Sequence, residues 1–272
     1  MIRGLAAHAA LEFRTGVRDK TLLLMTYLFP LGFYGFMGVF MTEMNPTFAE
    51  VMIPGMTVFA MLAASMFGLP GPLISAREAG ILRSYRIYGV PTGAVFGVPA
   101  ATTVAHLMLV AGAIAVSAPL LFDATPIRNG ALFAVVVLTG AAAHAGLGAL
   151  IGVISTDTRI SVLWSQLVFL PSVLLAGLIV PFDQIPELFQ PISLLLPAAY
   201  AMEAFQGLAL GTETVVDPWL ALGVLAVGAV TALALTRLTY SWDEHGSGRK
   251  WHPATAVLAL APYAAVAAVI AL

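Results

Sequence analysis

The sequence predicts an all-α integral membrane protein with six core transmembrane helices and a seventh, C-terminal one. Of its 272 residues, 60% are hydrophobic and only 10% are charged, whereas a soluble domain carries about 25% charged residues. The mean hydropathy is +0.95. Several apolar stretches reach the roughly 20 residues that a helix needs to cross the hydrocarbon core. The outer surface is therefore expected to meet membrane lipid.

Composition also excludes several classes of function. The net charge is -2, so no basic surface suggests nucleic acid as a partner. The chain has no cysteine, which excludes disulfides, thiolate metal sites and cysteine nucleophiles. The first 20 residues lack a continuous apolar core and do not resemble a secretory signal. The first span is therefore expected to direct its own insertion.

Residues 1–20 predict an amphipathic helix at the membrane interface. Apolar side chains recur every fourth residue along one stripe, and polar side chains form a second stripe. The two stripes are Leu5, Ala9, Phe13 and Val17, and His8, Glu12, Thr15 and Asp19. A helix with two such faces can lie in the plane of the interface. The alternative is a solvated helix that leads into the first span.

Apolar stretches mark the spans themselves. The transmembrane domain, residues 21–238, is predicted to hold six, at 21–41, 51–75, 92–122, 129–154, 161–180 and 218–238. A polar cytoplasmic linker follows at 239–253, and residues 254–272 again carry no charge. We interpret this last stretch as a seventh span, because an interfacial helix would show a polar face.

Prolines break the stretch between the fifth and sixth spans, at Pro181, Pro186, Pro191 and Pro197. Each proline removes a backbone donor and disfavours helix at the residue before it. Short apolar pieces between prolines are typical of re-entrant or interfacial segments rather than of a full crossing. We expect them at the external side, with Tyr200 and Glu203 in a weak helix at their end.

The distribution of charge predicts the orientation. With the N-terminus in the cytoplasm, 11 of the 12 Lys and Arg residues lie on the cytoplasmic side and only Arg128 lies outside. The opposite orientation would violate the positive-inside rule. We therefore expect a multi-pass plasma-membrane protein with a cytoplasmic N-terminus. Seven spans place the C-terminus outside, and six place it inside.

Motifs of energy conversion and hydrolysis are missing. The only lysines, Lys20 and Lys250, do not stand in the pattern G-x-x-x-x-G-K-[ST] of a phosphate-binding loop. H-E-x-x-H and G-x-S-x-G are absent as well. The sequence therefore predicts a protein that is not an enzyme and has no ATPase site of this kind.

The most informative polar segment, Arg77-Glu-Ala-Gly-Ile-Leu-Arg83, follows the second span. Pro181-Phe-Asp-Gln-Ile-Pro186 and Leu196-Pro-Ala-Ala-Tyr200 follow the fifth. Together they resemble the ABC-2 type transporter permease family, which often shows R-E-x-G-[T]-L, then P-x-x-x-[IL]-P and L-P-x-x-Y, at these places. The resemblance covers about Arg3 to Arg237. Ile81 stands where Thr is more usual, and the seventh span has no counterpart.

The resemblance implies a cytoplasmic coupling helix that docks into a separate ATP-binding cassette ATPase subunit. Its residues are Arg77, Glu78, Ala79, Gly80, Ile81, Leu82 and Arg83. Glu78 and the arginines would form ion pairs with that subunit, and Gly80 would allow close approach. The N-terminal helix would be a connecting helix that touches the same subunit through Glu12, Arg14 and Arg18.

The resemblance also implies an assembly. Two permease subunits, identical or similar, would enclose the substrate path, with two ATPase subunits beneath them. ATP and Mg would be bound by those partner subunits. No cofactor and no metal is therefore expected on this chain.

Polar and flexible side chains inside the spans are candidates for a substrate path. They are His106, His144, Gln166, Met56 and Met61. For the histidines and the glutamine, the alternative is hydrogen bonding between helices; for the methionines, it is ordinary packing. Small residues of the fourth span, from Gly140 to Gly152, predict close helix contacts.

The resulting expectation is an exporter subunit for an amphipathic drug, antibiotic or lipid-like molecule, because the compact chain resembles drug-resistance members of the family. One alternative is an ATP-independent channel or secondary transporter, which inverted repeats would support. Another is a membrane-embedded lipid-modifying enzyme, which would need clustered His, Asp and Glu near one interface. The sequence shows neither feature.

Overall fold

The computed structural model describes residues 20–45, 47–179, 182, 185–186, 188–240 and 252–270. Three predicted features lie outside this part of the chain: the connecting helix with Glu12, Arg14 and Arg18, the first proline of the broken stretch, Pro181, and residues 241–251 of the polar linker. Everything that follows concerns the described residues.

The described part of the chain forms helices and no strand. The long helices are α1 (Leu24–Met44), α2 (Phe48–Glu78), α4 (Thr92–Phe122), α5 (Gly130–Ile154), α6 (Thr158–Leu175) and α9 (Pro218–Thr239). The short ones are α3 (Ile81–Ile87), α7 (Gln190–Ser193), α8 (Pro197–Ala204) and α10 (Ala261–Ile270). The six long helices are apolar enough to cross a membrane. The prediction of an all-α membrane protein with six core spans is confirmed.

Side-chain caps set the starts of three spans. Asn129, Asp157 and Asp217 each accept a hydrogen bond from the backbone N–H three residues ahead, at the first turns of α5, α6 and α9. Short polar side chains at this position satisfy N–H groups that have no partner within the helix. The caps explain why the chain resumes a helix immediately after each short polar loop.

The second and fifth spans show the clearest differences from the bounds that the sequence predicts. The helix of the second span extends past 75 to Glu78, so the predicted coupling segment begins inside α2. The fifth span begins earlier than 161, because Asp157 caps it, and ends at Leu175 instead of near 180. Gly177 then adopts a φ of 80°, a conformation that ends helices and that glycine adopts most readily.

The bundle is built around α2. In its most apolar stretch, 94% of the residues are buried, with α1, α4, α5, α6 and α8 packed around it. A Cβ atom on Gly148 of α5 would overlap the Ser65 carbonyl oxygen of α2, and one on Gly146 would lie 3.1 Å from Ala232 of α9. The small residues of α5 therefore allow the close helix contacts that the sequence predicted.

The C-terminal helix packs against α9. A 3₁₀ segment, Pro253–Leu260, leads into α10, and together they form a shorter apolar helix than the six spans. Tyr263 is fully buried, and a Cβ atom on Gly228 of α9 would overlap its hydroxyl. The Tyr200 hydroxyl donates to the carbonyl oxygen of Tyr263 at 3.1 Å. The seventh span stays a prediction, but α10 is an integral part of the bundle.

Candidate functional site

The two ends of the bundle carry opposite charge. The basic end, where α2 and α5 finish, holds six of the seven described Lys and Arg side chains: Lys20, Arg77, Arg83, Arg86, Arg159 and Arg237. The acidic end holds Arg128 together with Glu43, Glu50, Asp123, Glu203, Glu213 and Asp217. The predicted coupling segment lies at the basic end, and the proline-broken stretch leads to the acidic end.

The predicted coupling segment comprises the end of α2, a two-residue turn and the start of α3. Arg77 and Glu78 occupy the last turn of α2, Ala79 and Gly80 form the turn, and Ile81 to Arg83 begin α3. Gly80 adopts a φ of 71°, and nothing lies within 4 Å of the position a Cβ atom would take. Within this chain, Gly80 is therefore needed for its left-handed backbone and not for a close contact.

One side of α3 is seated on the bundle and the rest is open. Leu82 is buried, whereas Ile81, Arg83, Arg86, Ile87 and Tyr88 are exposed. The coupling segment predicted from the sequence ended at Arg83, whereas α3 continues to Ile87 with Tyr88 as its C-cap. The signal that could have found them is the alternation of apolar and basic residues that continues to Gly89.

Arg77 is engaged within the chain. Its Nη2 donates to the carbonyl oxygens of Ser155 at 2.6 Å and Thr156 at 3.1 Å, and its Nη1 donates to that of Val153 at 3.4 Å. These are carbonyls at the C-terminal end of α5 and in the loop to α6. The guanidinium lies against this chain's own backbone, and its contact with the ATPase subunit stays a prediction.

Asp157 and Tyr240 lie at the same end of the bundle as Arg77. Hydrogen bonds from the backbone N–H of Ile160 and the hydroxyl of Thr156 hold the pKa of Asp157 below its usual range. Burial raises the pKa of Tyr240, directly after α9, and the positive charge of Arg77 acts in the opposite direction. The Tyr240 ring also lies 6.1 Å from that of Phe96 in α4. The ends of α2, α5 and α9 and the starts of α4 and α6 thus meet around Arg77.

The predicted path residues do not form one site. Met56 and Met61 are buried in α2, and Gln166 is partly exposed on α6. His106 Nδ1 and the Tyr27 hydroxyl of α1 share a hydrogen bond of 2.6 Å, while the Nδ1–H of His144 donates to the Gly140 carbonyl at 2.7 Å. The bond of His106 joins α1 and α4.

Among the cavities formed by the described residues, two lie at opposite ends of the bundle, and neither is lined by these five residues. The first, about 440 Å³, lies at the basic end between α1, α2 and α6, and its wall includes Met25, Phe29, Phe67, Val162 and Ser165. The wall is almost entirely apolar. Two π-helical turns, Leu24–Leu28 and Ala64–Gly68, pass beside it, and such turns are frequent at functional sites.

The second cavity, about 510 Å³, lies at the acidic end and is more polar. Glu50, Glu203, Gln206 and Glu213 contribute to its wall. Glu203 is nearly buried, and its Oε2 accepts a hydrogen bond of 2.8 Å from the backbone N–H of Val216. The carboxylate therefore ties α8 to the loop before α9.

The proline-broken stretch forms short helices. Pro186 and Pro191 are exposed, and Pro197 begins α8, which continues as a π-helical turn, Phe205–Leu210. Tyr200 is fully buried there. In the described part of the chain, no group of three or more His, Asp and Glu side chains could hold a metal ion.

Six long apolar helices define a multi-pass membrane protein. The family model of the ABC-2 type transporter matches residues 5–210, three quarters of the chain. The chain therefore belongs to the ABC-2 type transporter family and is a permease of the ABC exporter class. Permeases of this family work with ABC ATPase subunits. A search of curated proteins finds no match.

Proposed function

We propose that this permease exports an amphipathic drug, antibiotic or lipid-like molecule, driven by separate ATPase subunits that bind ATP and Mg and dock at α3. The observation that carries the proposal is the exposed apolar surface of this helix. Ile87 and Tyr88 are 75% and 84% exposed, and Arg83 and Arg86 lie on the same short helix. Exposed apolar side chains rimmed by charge are typical of a protein interface.

The charge of the basic end supports the proposed orientation. Six of the seven described cations lie there, and cations accumulate on the cytoplasmic side of membrane proteins. The α3 surface then faces the compartment that supplies ATP. The plasma membrane is the expected location, and the acidic end is the external one.

The length of the C-terminal helix supports a seventh crossing. Eight residues of 3₁₀ helix, Pro253–Leu260, rise about 2.0 Å each, and the ten residues of α10 rise about 1.5 Å each. The sum, about 31 Å, matches a hydrocarbon core of about 30 Å. Seven crossings would place the C-terminus outside.

The cavity at the basic end supports an apolar or amphipathic cargo. Its lining is apolar, with Ser161 and Ser165 among its few polar contributors, and their hydroxyls already donate to backbone carbonyls. It therefore offers mainly packing contacts. Met25 and Met66 in its wall can adapt to apolar ligands of varied shape. Such a molecule would enter from the inner leaflet.

Coupling requires that the nucleotide-bound ATPase favours one permease conformation over the other. Leu82 seats α3 on the bundle, so a force applied to the exposed residues reaches the spans. A second permease subunit, identical or similar, completes the translocation path. The exposed apolar face of α6 is available to that subunit or to lipid.

The ATPase for the test is an ABC ATPase of the same cell that, together with the permease, stimulates efflux of rhodamine 6G. The test measures the affinity of this purified ATPase for the purified permease in nanodiscs. The double variant Ile87→Ala/Tyr88→Ala is expected to weaken binding at least about tenfold and to abolish ATP-dependent efflux. Arg83→Ala is expected to weaken binding less, since an exposed charge contributes little.

Val215→Ala provides the matched control, because Val215 is an exposed apolar residue at the acidic end. It should bind the ATPase as the wild type does. Wild-type affinity and efflux in the α3 double variant would overturn the docking proposal. ATP-independent efflux by the permease alone would instead favour a channel or secondary transporter.

A further inference from the structure

The carbonyls that Arg77 contacts belong to a helix C-terminus. Val153 is in the last turn of α5, Ser155 is its C-cap, and Thr156 begins the loop to α6. Carbonyls at this position lack partners within the helix and carry the negative end of the helix dipole. A guanidinium satisfies them with both charge and directed N–H groups.

The contact joins two parts of the chain that are far apart in sequence. Arg77 precedes the Gly80 turn and α3, while the three carbonyls lie 76 to 79 residues further on. Only two residues separate Ser155 from the start of α6, where the Asp157 carboxylate caps the helix through Ile160. Displacement of Arg77 therefore acts on the end of α5 and the start of α6 together.

The other basic side chains at this junction are placed differently. Arg83 and Arg86 are exposed on α3, where a partner can reach them. Arg77 is half-buried and holds three backbone carbonyls. Lysine could not replace it fully, because a single ammonium lacks the planar fork that reaches several acceptors at once.

We propose that Arg77 is a positioning residue that transmits movement of α3 to the corner between α5 and α6, instead of contacting the ATPase subunit. The inference rests on the proposed function for the source of the movement. In this arrangement α3 receives the force, the end of α2 carries it, and the three hydrogen bonds pass it to two further spans. The cavity at the basic end is lined by α2 and α6, so their relative position changes its shape.

The first experiment uses the purified permease alone. Because the chain has no cysteine, two introduced cysteines can be labelled specifically. Spin labels at Ser84→Cys on α3 and Arg159→Cys on α6 report the distance across the contact in the purified permease. The Arg77→Gln variant is expected to broaden this distance distribution at least about twofold, and Arg77→Lys to broaden it less. Arg83→Gln, which changes an exposed arginine on α3, should leave it unchanged. A wild-type distribution in Arg77→Gln would overturn the proposal.

The second experiment uses the complex with the ATPase. Arg77→Gln is expected to bind the ATPase within about twofold of wild type, while the number of molecules transported per ATP falls about tenfold and recovers partly in Arg77→Lys. A merely structural role would lower the amount of folded complex without changing this ratio. Loss of ATPase binding would make Arg77 a contact residue and overturn the proposal.

The two experiments separate failure of this inference from failure of the proposed function. If Arg77→Gln does not fold, Arg77→Lys carries both measurements, and equality with wild type in both would overturn the inference. If no ABC ATPase binds the wild-type permease, the docking at α3 fails. The first experiment then still tests whether Arg77 holds α3 in place relative to the start of α6.

Discussion

The helices α2 and α6 have similar hydropathy and opposite positions in the bundle. Their most apolar stretches have mean hydropathies of 1.7 and 1.4, yet 94% of the residues are buried in α2 and only 17% in α6. The exposed residues of α6 include Leu163, Leu167, Leu170 and Leu174, which form one stripe. Hydropathy therefore identifies a span but does not tell whether it faces protein or lipid.

The difference follows from the nature of the lipid solvent. Lipid tails are as apolar as leucine, so no hydrophobic driving force sorts leucines into the interior of a membrane bundle. Close contact decides the position instead. Gly148 of α5 meets the Ser65 carbonyl of α2 directly, whereas α6 presents large side chains outward. Packing changes should thus affect α2 far more than α6.

The largest effect is expected for Gly148→Leu. The added side chain would displace the backbone of α2 at Ser65, and the expected cost is about 3 kcal/mol, at the upper end of the typical range for overpacking. The yield of folded protein in size-exclusion chromatography and its thermal unfolding midpoint should both fall sharply. Gly112→Leu in α4 is the control, since its Cβ position has nothing within 4 Å. Equal losses in the two variants would contradict the central role of α2.

A pair of leucine truncations compares the two helices directly. Leu62 in α2 is fully buried and Leu163 in α6 is exposed. Leu62→Ala leaves a cavity and should lower the free energy of unfolding by about 2 kcal/mol, whereas Leu163→Ala should change it by less than about 0.5 kcal/mol. Reversible unfolding in mixed micelles measures both. A larger loss at Leu163 would show that a protein surface, such as the second permease subunit, covers α6.

The smallest effect is expected at the start of α6. Thr47, at the start of α2, makes no capping hydrogen bond with its side chain, but Asp157 caps α6. Because the folded-state pKa of Asp157 is lowered, its carboxylate stabilises the fold above its unfolded pKa of about 3.9. This stabilisation is lost as the pH falls through the lowered pKa.

Asp157→Asn keeps a capping acceptor and removes the titration. The difference in unfolding midpoint between wild type and this variant should therefore shrink as the pH is lowered from 7 to 3. Thr47→Ala is the control and should show no dependence on pH relative to wild type. If the difference in unfolding midpoint between wild type and Asp157→Asn does not change with pH, the carboxylate charge does not contribute to the stability of the fold.

The sequence predicted a coupling segment, but it did not distinguish the surroundings of its arginines. Arg77 and Arg83 stand in the same polar block, and both were predicted to contact the ATPase subunit. Only the return of α5 to the basic end brings the Ser155 carbonyl within 2.6 Å of Arg77. The two residues are 78 positions apart in the chain, so no short sequence motif indicates the contact. The cavities were missed for the same reason, because each wall combines several helices.

The sequence by itself determined the spans, because a helix must satisfy its backbone internally and present about 20 apolar residues to lipid. It also determined the asymmetry of charge between the two ends. The tertiary structure alone decided that α2 is central and α6 peripheral, and that Arg77 is held by α5. These outcomes depend on which surfaces approach closely, and in a solvent as apolar as the side chains, composition does not encode that choice.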